Sequence, residues 1–297
     1  MMQNSLLVIG SKGQLGWELE SQGADFGFNI IGIDVDKLDI TDSAAVEATL
    51  KHMDVSVVIN AAAYTAVDKA EAEPDLAFAV NREGPHNLAA ACHQRSIPLI
   101  HISTDYVFNG HKRKPYEEED APSPIGIYAQ SKAQGEKAIQ KQCEKHIIIR
   151  TAWLYGAHGN NFVKTMLRLG RERKELKVVN DQMGCPTSAE DLAASILAIC
   201  SQLHKRKDFN PWGIYHYCGQ GETTWFGFAK KIFELASAYE TLRIQRLIPI
   251  TTAEYPTPAA RPANSVLACE KIERTFGVER RPWEKSLATM LERLYSD

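Results

Sequence analysis

The chain has 297 residues, of which 44% are hydrophobic and 24% charged, with a formal net charge of -3. This composition is ordinary for a globular protein with a substantial core, and it excludes a strongly basic chain, so we predict no nucleic acid and no membrane as partner. No apolar run approaches the ~20 residues of a membrane-spanning helix, and the N-terminal run lacks the basic flank and cleavage site of a signal peptide.

Cysteine and histidine spacing argues against metal and disulfide chemistry. The six cysteines are scattered and form no Cys-x-x-Cys pair, so we predict reduced thiols in a cytoplasmic protein. The nine histidines show no metal-ligand spacing, and no catalytic metal is predicted.

The first predicted element is a short buried strand at residues 5–9, which runs directly into a G-x-x-G-x-x-G turn and then a helix. Strand, glycine turn and helix together are typical of a dinucleotide site, because the glycines allow close backbone approach to a pyrophosphate at the helix N-terminus. The cofactor-binding residues predicted here are Gly10, Gly13, Gln14, Leu15 and Gly16.

A second predicted strand ends at Asp34, where a carboxylate can accept hydrogen bonds from an adenosine ribose. The same carboxylate would repel a 2′-phosphate, although Lys12 or Lys37 could compensate. NADH and NADPH therefore both stay open as the cofactor. Asp39 and Ile40, in the loop beyond, are further predicted cofactor contacts.

Two more predicted strands, at residues 55–60 and 97–102, end in segments suited to a site. The first is followed by small residues and a hydroxyl, and its predicted cofactor contacts are Ala62, Ala63, Tyr64 and Thr65. The second is followed by Thr104 and Asp105. Ligands bind beyond the carboxyl ends of strands in open α/β sheets, so we predict that Thr104 bonds a substrate carbonyl oxygen.

Tyr128 and Lys132 lie four residues apart in a segment rich in helix-forming residues. On a helix the two side chains share a face. A nearby ammonium favours the phenolate and lowers the pKa of a tyrosine, so the pair could act as a general acid or base.

Alternation of strands and helices requires a parallel sheet. We predict an α/β fold in which residues 1–152 form a Rossmann-type doubly wound parallel sheet that binds a dinucleotide. Residues 153–297 are predicted to form a smaller C-terminal α/β substrate lobe, with the return of segments to the first domain left open. Beyond a fifth strand at 146–150, helices are predicted at 161–173, 189–203, 223–239 and 283–295, and strands at 176–179 and 214–217.

Three motifs together resemble the extended short-chain dehydrogenase/reductase family: the glycine turn, the segment 103–108 and Tyr128-x-x-x-Lys132. More narrowly, the chain is similar to reductases of dTDP-linked keto sugars. That resemblance covers nearly the whole chain through segments 60–71, 150–155, 159–162, 180–187 and 255–265.

The resemblance implies reduction of the C4 ketone of dTDP-4-dehydro-6-deoxy-L-mannose by NADPH or NADH. It implies that Tyr128 gives a proton to the developing alkoxide and that Lys132 holds the nicotinamide ribose and lowers the pKa of Tyr128. Thr104 would bond the carbonyl oxygen or Tyr128, and Asp105 would shape the site. The implied substrate-binding residues are Thr104, Asp105, Trp153, Asn161 and Arg261.

Some members of this group dimerise through a divalent cation held by glutamates, and Glu18 and Glu190 match those positions. Glu292 is one position out of register, with Arg293 beside it, so a homodimer bridged by Mg²⁺ stays open. Two other functions also stay open. One is an epimerase or reductase for another dTDP-4-keto sugar, or a dehydratase of the same family, and the other is a cofactor-binding regulatory subunit of a methionine adenosyltransferase.

Overall fold

The computed structural model of the chain describes residues 4–206 and 208–296. In chain order its elements are β1 (Ser5–Ile9), α1 (Gln14–Gln22), β2 (Asn29–Ile33), α2 (Ser43–Lys51), β3 (Val57–Asn60), α3 (Val67–Ala70), α4 (Pro74–Phe78), α5 (Gly84–Gln94), β4 (Leu99–Thr104), α6 (Ile127–Gln142), β5 (His146–Thr151), β6 (Leu154–Tyr155), α7 (Phe162–Glu172), β7 (Glu175–Val179), β8 (Met183–Gly184), β9 (Thr187–Ser188), α8 (Ala189–Lys205), β10 (Gly213–His216), β11 (Thr223–Thr224), α9 (Trp225–Ala236), β12 (Arg246–Ile250), α10 (Glu270–Phe276) and α11 (Trp283–Ser296).

A six-stranded sheet in the order β10-β5-β4-β3-β1-β2 forms the centre of the molecule. Every neighbouring pair in it is parallel. Its strands are runs of Val, Ile and Leu because helices cover both faces of a parallel sheet. The predicted α/β, Rossmann-type class is therefore confirmed.

Two hydrophobic cores lie on opposite faces of this sheet. Along β1, Leu6 and Val8 belong to one core while Leu7 and Ile9 belong to the other, as the two-residue period of a strand dictates. The first core includes residues of α1, α8 and α10, and the second includes residues of α2, α5 and α6. The site-bearing helix α6 is thus seated on a rigid layer.

A third core belongs to the smaller lobe and joins α7, α9 and α11. The lobe also contains a parallel pair of strands, β7 and β12. Its amphipathic helices bury their apolar faces against each other at the carboxyl edge of the main sheet. A cleft remains between this lobe and the sheet.

Several elements differ from the sequence prediction. Helices α4 and α5 are joined by a π-helical turn at Ala79–Glu83, and neither β12 nor α10 was predicted from the sequence. The strand predicted at 214–217, β10, lies at the edge of the main sheet beside β5. Helix α8 likewise packs against α1. The domain boundary after residue 152 stays a prediction. Among the described residues, no helix combines the length and apolarity needed to cross a membrane.

Candidate active site

The turn between β1 and α1 is packed so closely that only glycine fits. Gly10 has a φ of 82°, a value in the left-handed region that favours glycine. A Cβ at Gly10 would lie 2.6 Å from the backbone N of Ala62, and one at Gly16 would lie 2.2 Å from the carbonyl oxygen of Gly10. The turn therefore brings bare backbone to the start of α1, which is the geometry that admits a pyrophosphate.

The end of β2 presents Asp34 beside this turn. Its carboxylate accepts hydrogen bonds from the backbone N–H of Lys12 (2.9 Å) and of Val35 (2.8 Å). The exposed ammonium of Lys12 pairs with Asp36 at 2.8 Å. A positive charge therefore stands near Asp34 at the end of β2.

A continuous cleft of 740 Å³ runs from Asp34 past the glycine turn to Tyr128. It collects most of the predicted site residues. The predicted residues that line it are Gly10, Gly13, Gln14, Leu15, Gly16, Asp34, Asp39, Ile40, Ala62, Ala63, Thr65, Thr104, Asp105, Tyr128, Lys132 and Trp153.

Three of the predicted site residues do not line this cleft and make other contacts. The hydroxyl of Tyr64 donates to Glu73, which directs the side chain away from the cofactor region. The amide of Asn161 donates to Gln14 Oε1 at 3.0 Å, so it ties the smaller lobe to the glycine turn. Arg261 pairs with Asp68 at 2.8 Å.

Thr104 and Asp105 form a buried pair at the end of β4. The Thr104 hydroxyl donates to Asp105 Oδ1 at 2.9 Å and accepts from the backbone N–H of Tyr106 at 3.2 Å. Asp105 Oδ2 is buried without a hydrogen-bond partner. Burial raises the pKa of Asp105 to about 6, against smaller lowering effects from neighbouring hydroxyls.

The phenol of Tyr128 behaves differently from the sequence prediction. Burial raises its pKa to about 12, and the Thr104 hydroxyl acts against this rise. The predicted lowering of the pKa of Tyr128 by Lys132 is not seen, because Lys132 Nζ is directed elsewhere. Lys132 Nζ donates to the carbonyl oxygen of Ile102 at 2.7 Å and lies 3.3 Å from His101 Nε2. Tyr128 is therefore a firmly protonated acid in this structure.

Lys132 is 2% exposed. Burial lowers its pKa to about 8, and Glu136 on the next turn of α6 acts in the opposite direction. A lysine this close to neutrality can gain or lose a proton in the physiological range.

Trp153 was predicted as a substrate-binding residue, and the structure adds an aromatic partner that the sequence did not indicate. Its indole stacks on that of Trp225, with ring centroids 3.6 Å apart, and a Cβ at Gly184 would lie 2.4 Å from it. Trp153 has a φ of 49°, an uncommon value for a non-glycine residue that marks a locally constrained backbone. Trp225 also lines the cleft.

The carboxylates of Glu18 and Glu190 meet a cation from their own chain. Arg293 Nη1 lies 3.2 Å from Glu18 and 3.9 Å from Glu190. Within 4–206 and 208–296, no group of three or more His, Cys, Asp or Glu could hold a metal ion. The guanidinium of Arg293 therefore pairs with the two carboxylates inside one chain, and a homodimer bridged by Mg²⁺ stays a prediction.

A glycine turn at the switch point of a parallel sheet, with Thr104, Tyr128 and Lys132 in the same cleft, defines a dinucleotide-binding protein of the short-chain dehydrogenase/reductase type. Comparison with known proteins identifies the family within this class. Residues 3–296 match the family described as RmlD substrate binding domain. The chain therefore belongs to the RmlD family, and several of its relatives are named dTDP-4-dehydrorhamnose reductase.

Two such relatives and one solved structure illustrate the similarity. The reductase of Sinorhizobium fredii is 44% identical over 95% of this chain and 94% of its own length. That of Salmonella typhimurium is 42% identical over 98% of each chain. The crystal structure of dTDP-4-dehydrorhamnose reductase from Bacillus anthracis in complex with NADP superposes with a TM-score of 0.90, at 38% identity, over 98% of this chain and 100% of that one.

Proposed function

We propose that this protein reduces the C4 ketone of dTDP-4-dehydro-6-deoxy-L-mannose to give dTDP-L-rhamnose, the last step of dTDP-rhamnose synthesis, with NADPH as reductant. The observation that carries the proposal is the convergence of Thr104, Tyr128 and Lys132 at one end of the cleft that begins at the glycine turn. The relatives named above support the substrate, because the similarity extends over both lobes.

The residues present fit a nicotinamide dinucleotide. Glycines at positions 10 and 16 leave the backbone bare where a Cβ would collide, and the start of α1 offers free N–H groups to a pyrophosphate. Asp34 and Ile40 line the end of the cleft suited to the adenosine, and Lys132 lines the other end. When bound, the cofactor supplies the hydride.

Tyr128 supplies the proton in this proposal. With a pKa of about 12, its phenol is fully protonated at neutral pH and gives up its proton only to a stronger base, such as an alkoxide. The hydroxyl of Thr104 acts on the phenolic oxygen of Tyr128 and orients it. Asp105 accepts the Thr104 proton and the N–H of Tyr106 donates to the Thr104 oxygen, so the Thr104 hydroxyl is fixed in place while the phenolic proton of Tyr128 stays available to the alkoxide.

The smaller lobe holds the dTDP-sugar. The stacked indoles of Trp153 and Trp225 offer a flat apolar edge to a deoxysugar, and Arg261 is the candidate for the diphosphate. Arg261 is engaged by Asp68 at 2.8 Å, so we propose that it exchanges this carboxylate for the diphosphate when the substrate binds. Asn161 supports the site through Gln14.

NADPH rather than NADH is proposed because Lys12 stands beside Asp34. The ammonium of Lys12 is exposed and pairs with Asp36 at the surface, so a 2′-phosphate can compete for it. The Bacillus anthracis relative is described in complex with NADP, which supports the same choice.

The test is an assay of the purified protein with dTDP-4-dehydro-6-deoxy-L-mannose and NADPH or NADH, with the sugar product identified by NMR. We expect one equivalent of cofactor oxidised per molecule of dTDP-L-rhamnose. An epimerase or dehydratase would change the sugar without net oxidation of cofactor. A regulatory subunit would bind NADPH, reduce no ketone and co-purify with a methionine adenosyltransferase. Either result would refute the proposal.

A further inference from the structure

Behind Lys132 lies a chain of buried polar groups that the reaction above does not use. Asn60 at the end of β3 and His101 in β4 are both 0% exposed. Asn60 Nδ2 lies 3.0 Å from His101 Nδ1, and His101 Nε2 lies 3.3 Å from Lys132 Nζ. Both ring nitrogens therefore face polar atoms, and each contact needs one donor and one acceptor.

A backbone group sets the direction of this chain. The N–H of Ala62, which can only donate, donates to Asn60 Oδ1 at 3.1 Å. The amide of Asn60 therefore presents its NH₂ group to His101 Nδ1, which must accept. A neutral imidazole with an accepting Nδ1 carries its proton on Nε2. His101 is neutral, because burial holds its pKa well below the ordinary value.

The consequence falls on Lys132, which meets an N–H donor at His101 Nε2. An ammonium has three donors and no acceptor, so it would face this N–H donor to donor. A neutral amine can accept from His101 and still donate to the carbonyl of Ile102 at 2.7 Å. All the hydrogen bonds of the chain are then satisfied.

We propose that His101 is a positioning residue whose contact accepts Lys132 only as a neutral amine, so that the side chain leaves His101 when it takes a proton. The charge and the position of Lys132 change together in this proposal. Only the use of that change in catalysis rests on the proposed reductase function. In the contact with His101 the side chain is neutral and withdrawn, and as an ammonium it is released toward the cleft that it lines.

Other charged groups near Lys132 leave this argument unchanged. Tyr128 stands one turn before it on α6 and, with a pKa of about 12, stays protonated at neutral pH. Glu136 stands one turn after it and favours the ammonium, but its carboxylate is held by Arg150 of β5 at 2.7 Å. The contribution from β3 is the uncharged Asn60.

The protein contains an internal reference for the proton position. His216 is also 0% exposed, but its Nδ1 lies 3.1 Å from the carbonyl oxygen of Tyr116 and 3.2 Å from that of Ala268. Carbonyls only accept, so His216 must carry its proton on Nδ1. One protein thus holds two buried histidines of opposite tautomer.

The test is NMR of the full-length protein with ¹⁵N-labelled histidine and ¹³C-labelled lysine, assigned with His101→Gln, His216→Gln and Lys132→Met. We expect the proton of His101 on Nε2 and that of His216 on Nδ1. In wild type, Lys132 should titrate with a pKa of about 8. In His101→Gln the amide oxygen can accept from an ammonium, so the midpoint should rise toward the ordinary lysine value of about 10.4.

Two results would overturn the inference: a proton on Nδ1 of His101 in wild type, or an unchanged Lys132 midpoint in His101→Gln. The wild-type tautomer decides the question even if that variant folds poorly. No turnover is needed for either measurement. Failure of the ketone reduction assay and failure of this inference are therefore distinguishable.

Discussion

Glu136 of α6 and Arg150 of β5 form a bidentate ion pair, with Nε–Oε1 at 2.9 Å and Nη2–Oε2 at 2.7 Å. Both side chains are almost completely buried, and the hydroxyl of Ser103 donates to the same carboxylate at 2.5 Å. Glu136 lies one helical turn beyond Lys132. The pair therefore fixes the register of the site-bearing helix against the strand beside it.

Breaking this pair on one side should destabilise the protein strongly. Arg150→Met leaves a buried carboxylate without its cation, which costs about 3–5 kcal/mol of unfolding free energy. The double variant Glu136→Gln/Arg150→Met removes both charges and should recover much of that loss. Denaturant unfolding of the single and double variants measures the difference. Equal destabilisation in both would show that the charges are not coupled.

Replacing Tyr128, the proposed proton donor, should lower turnover strongly and leave cofactor binding nearly unchanged. Tyr128→Phe removes only the phenolic oxygen, so kcat should fall by about two or more orders of magnitude, while the Kd for NADPH stays within about twofold. Stopped assays and fluorescence titration measure the two quantities. Tyr239→Phe, at a 46% exposed tyrosine, is the matched control. Near-normal turnover in Tyr128→Phe would remove this residue from the mechanism.

The buried carboxyl of Asp105 should make stability depend on pH in the unusual direction. Its folded pKa is about 6, above the unfolded value of about 3.9. The folded state therefore binds the proton more tightly, and stability falls as pH rises from about 4 to 6 and then levels off.

Asp105→Asn removes this penalty. The free energy of unfolding of this variant, relative to wild type, should therefore be higher at pH 7 than at pH 4. The pKa difference sets this change at up to about 3 kcal/mol. Calorimetric melting at both pH values measures the gain, and Asp25→Asn, in an exposed turn, is the control. A difference between Asp105→Asn and wild type that does not vary with pH would contradict the assignment.

Lys12 should select the phosphorylated cofactor. Lys12→Ala removes a charge-assisted contact to a 2′-phosphate, so the KM for NADPH should rise by about tenfold, equivalent to about 1.4 kcal/mol. The KM for NADH should change little, because that cofactor lacks the phosphate. Steady-state kinetics with both cofactors measure this. If Lys37→Ala gives the larger effect instead, the phosphate contact belongs to that lysine.

Arg293 should make the protein independent of divalent cations. EDTA is expected to leave the activity, melting temperature and mass in solution of wild type unchanged. Arg293→Ala leaves Glu18, whose side chain is 2% exposed, without its cation. The free energy of unfolding of this variant should fall by about 2 kcal/mol. This loss is smaller than for a fully buried pair because the guanidinium is partly exposed. Arg274→Ala, at an exposed site, is the control. A dimer that dissociates in EDTA would refute this account.

Much of the fold was predictable because its signals are local. The strands β1 to β5 are continuous apolar runs, and the glycine turn, Thr104 and Tyr128 each follow or join such a run. Parallel topology then brings their ends to one edge. Family membership was predictable from segments in both lobes, and the comparisons confirm it.

The remaining features depend on contacts between distant parts of the chain. Trp225 begins an amphipathic helix and reads as a core residue, and only tertiary packing places it on Trp153. His101 lies inside a strand, where its role depends on Asn60 and Lys132. The raised pKa of Tyr128 could not be predicted either, since burial outweighs the effect of a lysine whose side chain turns toward Ile102.

The stacked indoles of Trp153 and Trp225 have an optical consequence. Two parallel chromophores with centroids 3.6 Å apart couple their excited states, so near-ultraviolet circular dichroism of the protein should contain a paired band from this stack. A sugar ring that enters beside the indoles would alter their spacing and therefore the band. With the proposed substrate, this band would report sugar binding without a change in the absorbance of the nicotinamide.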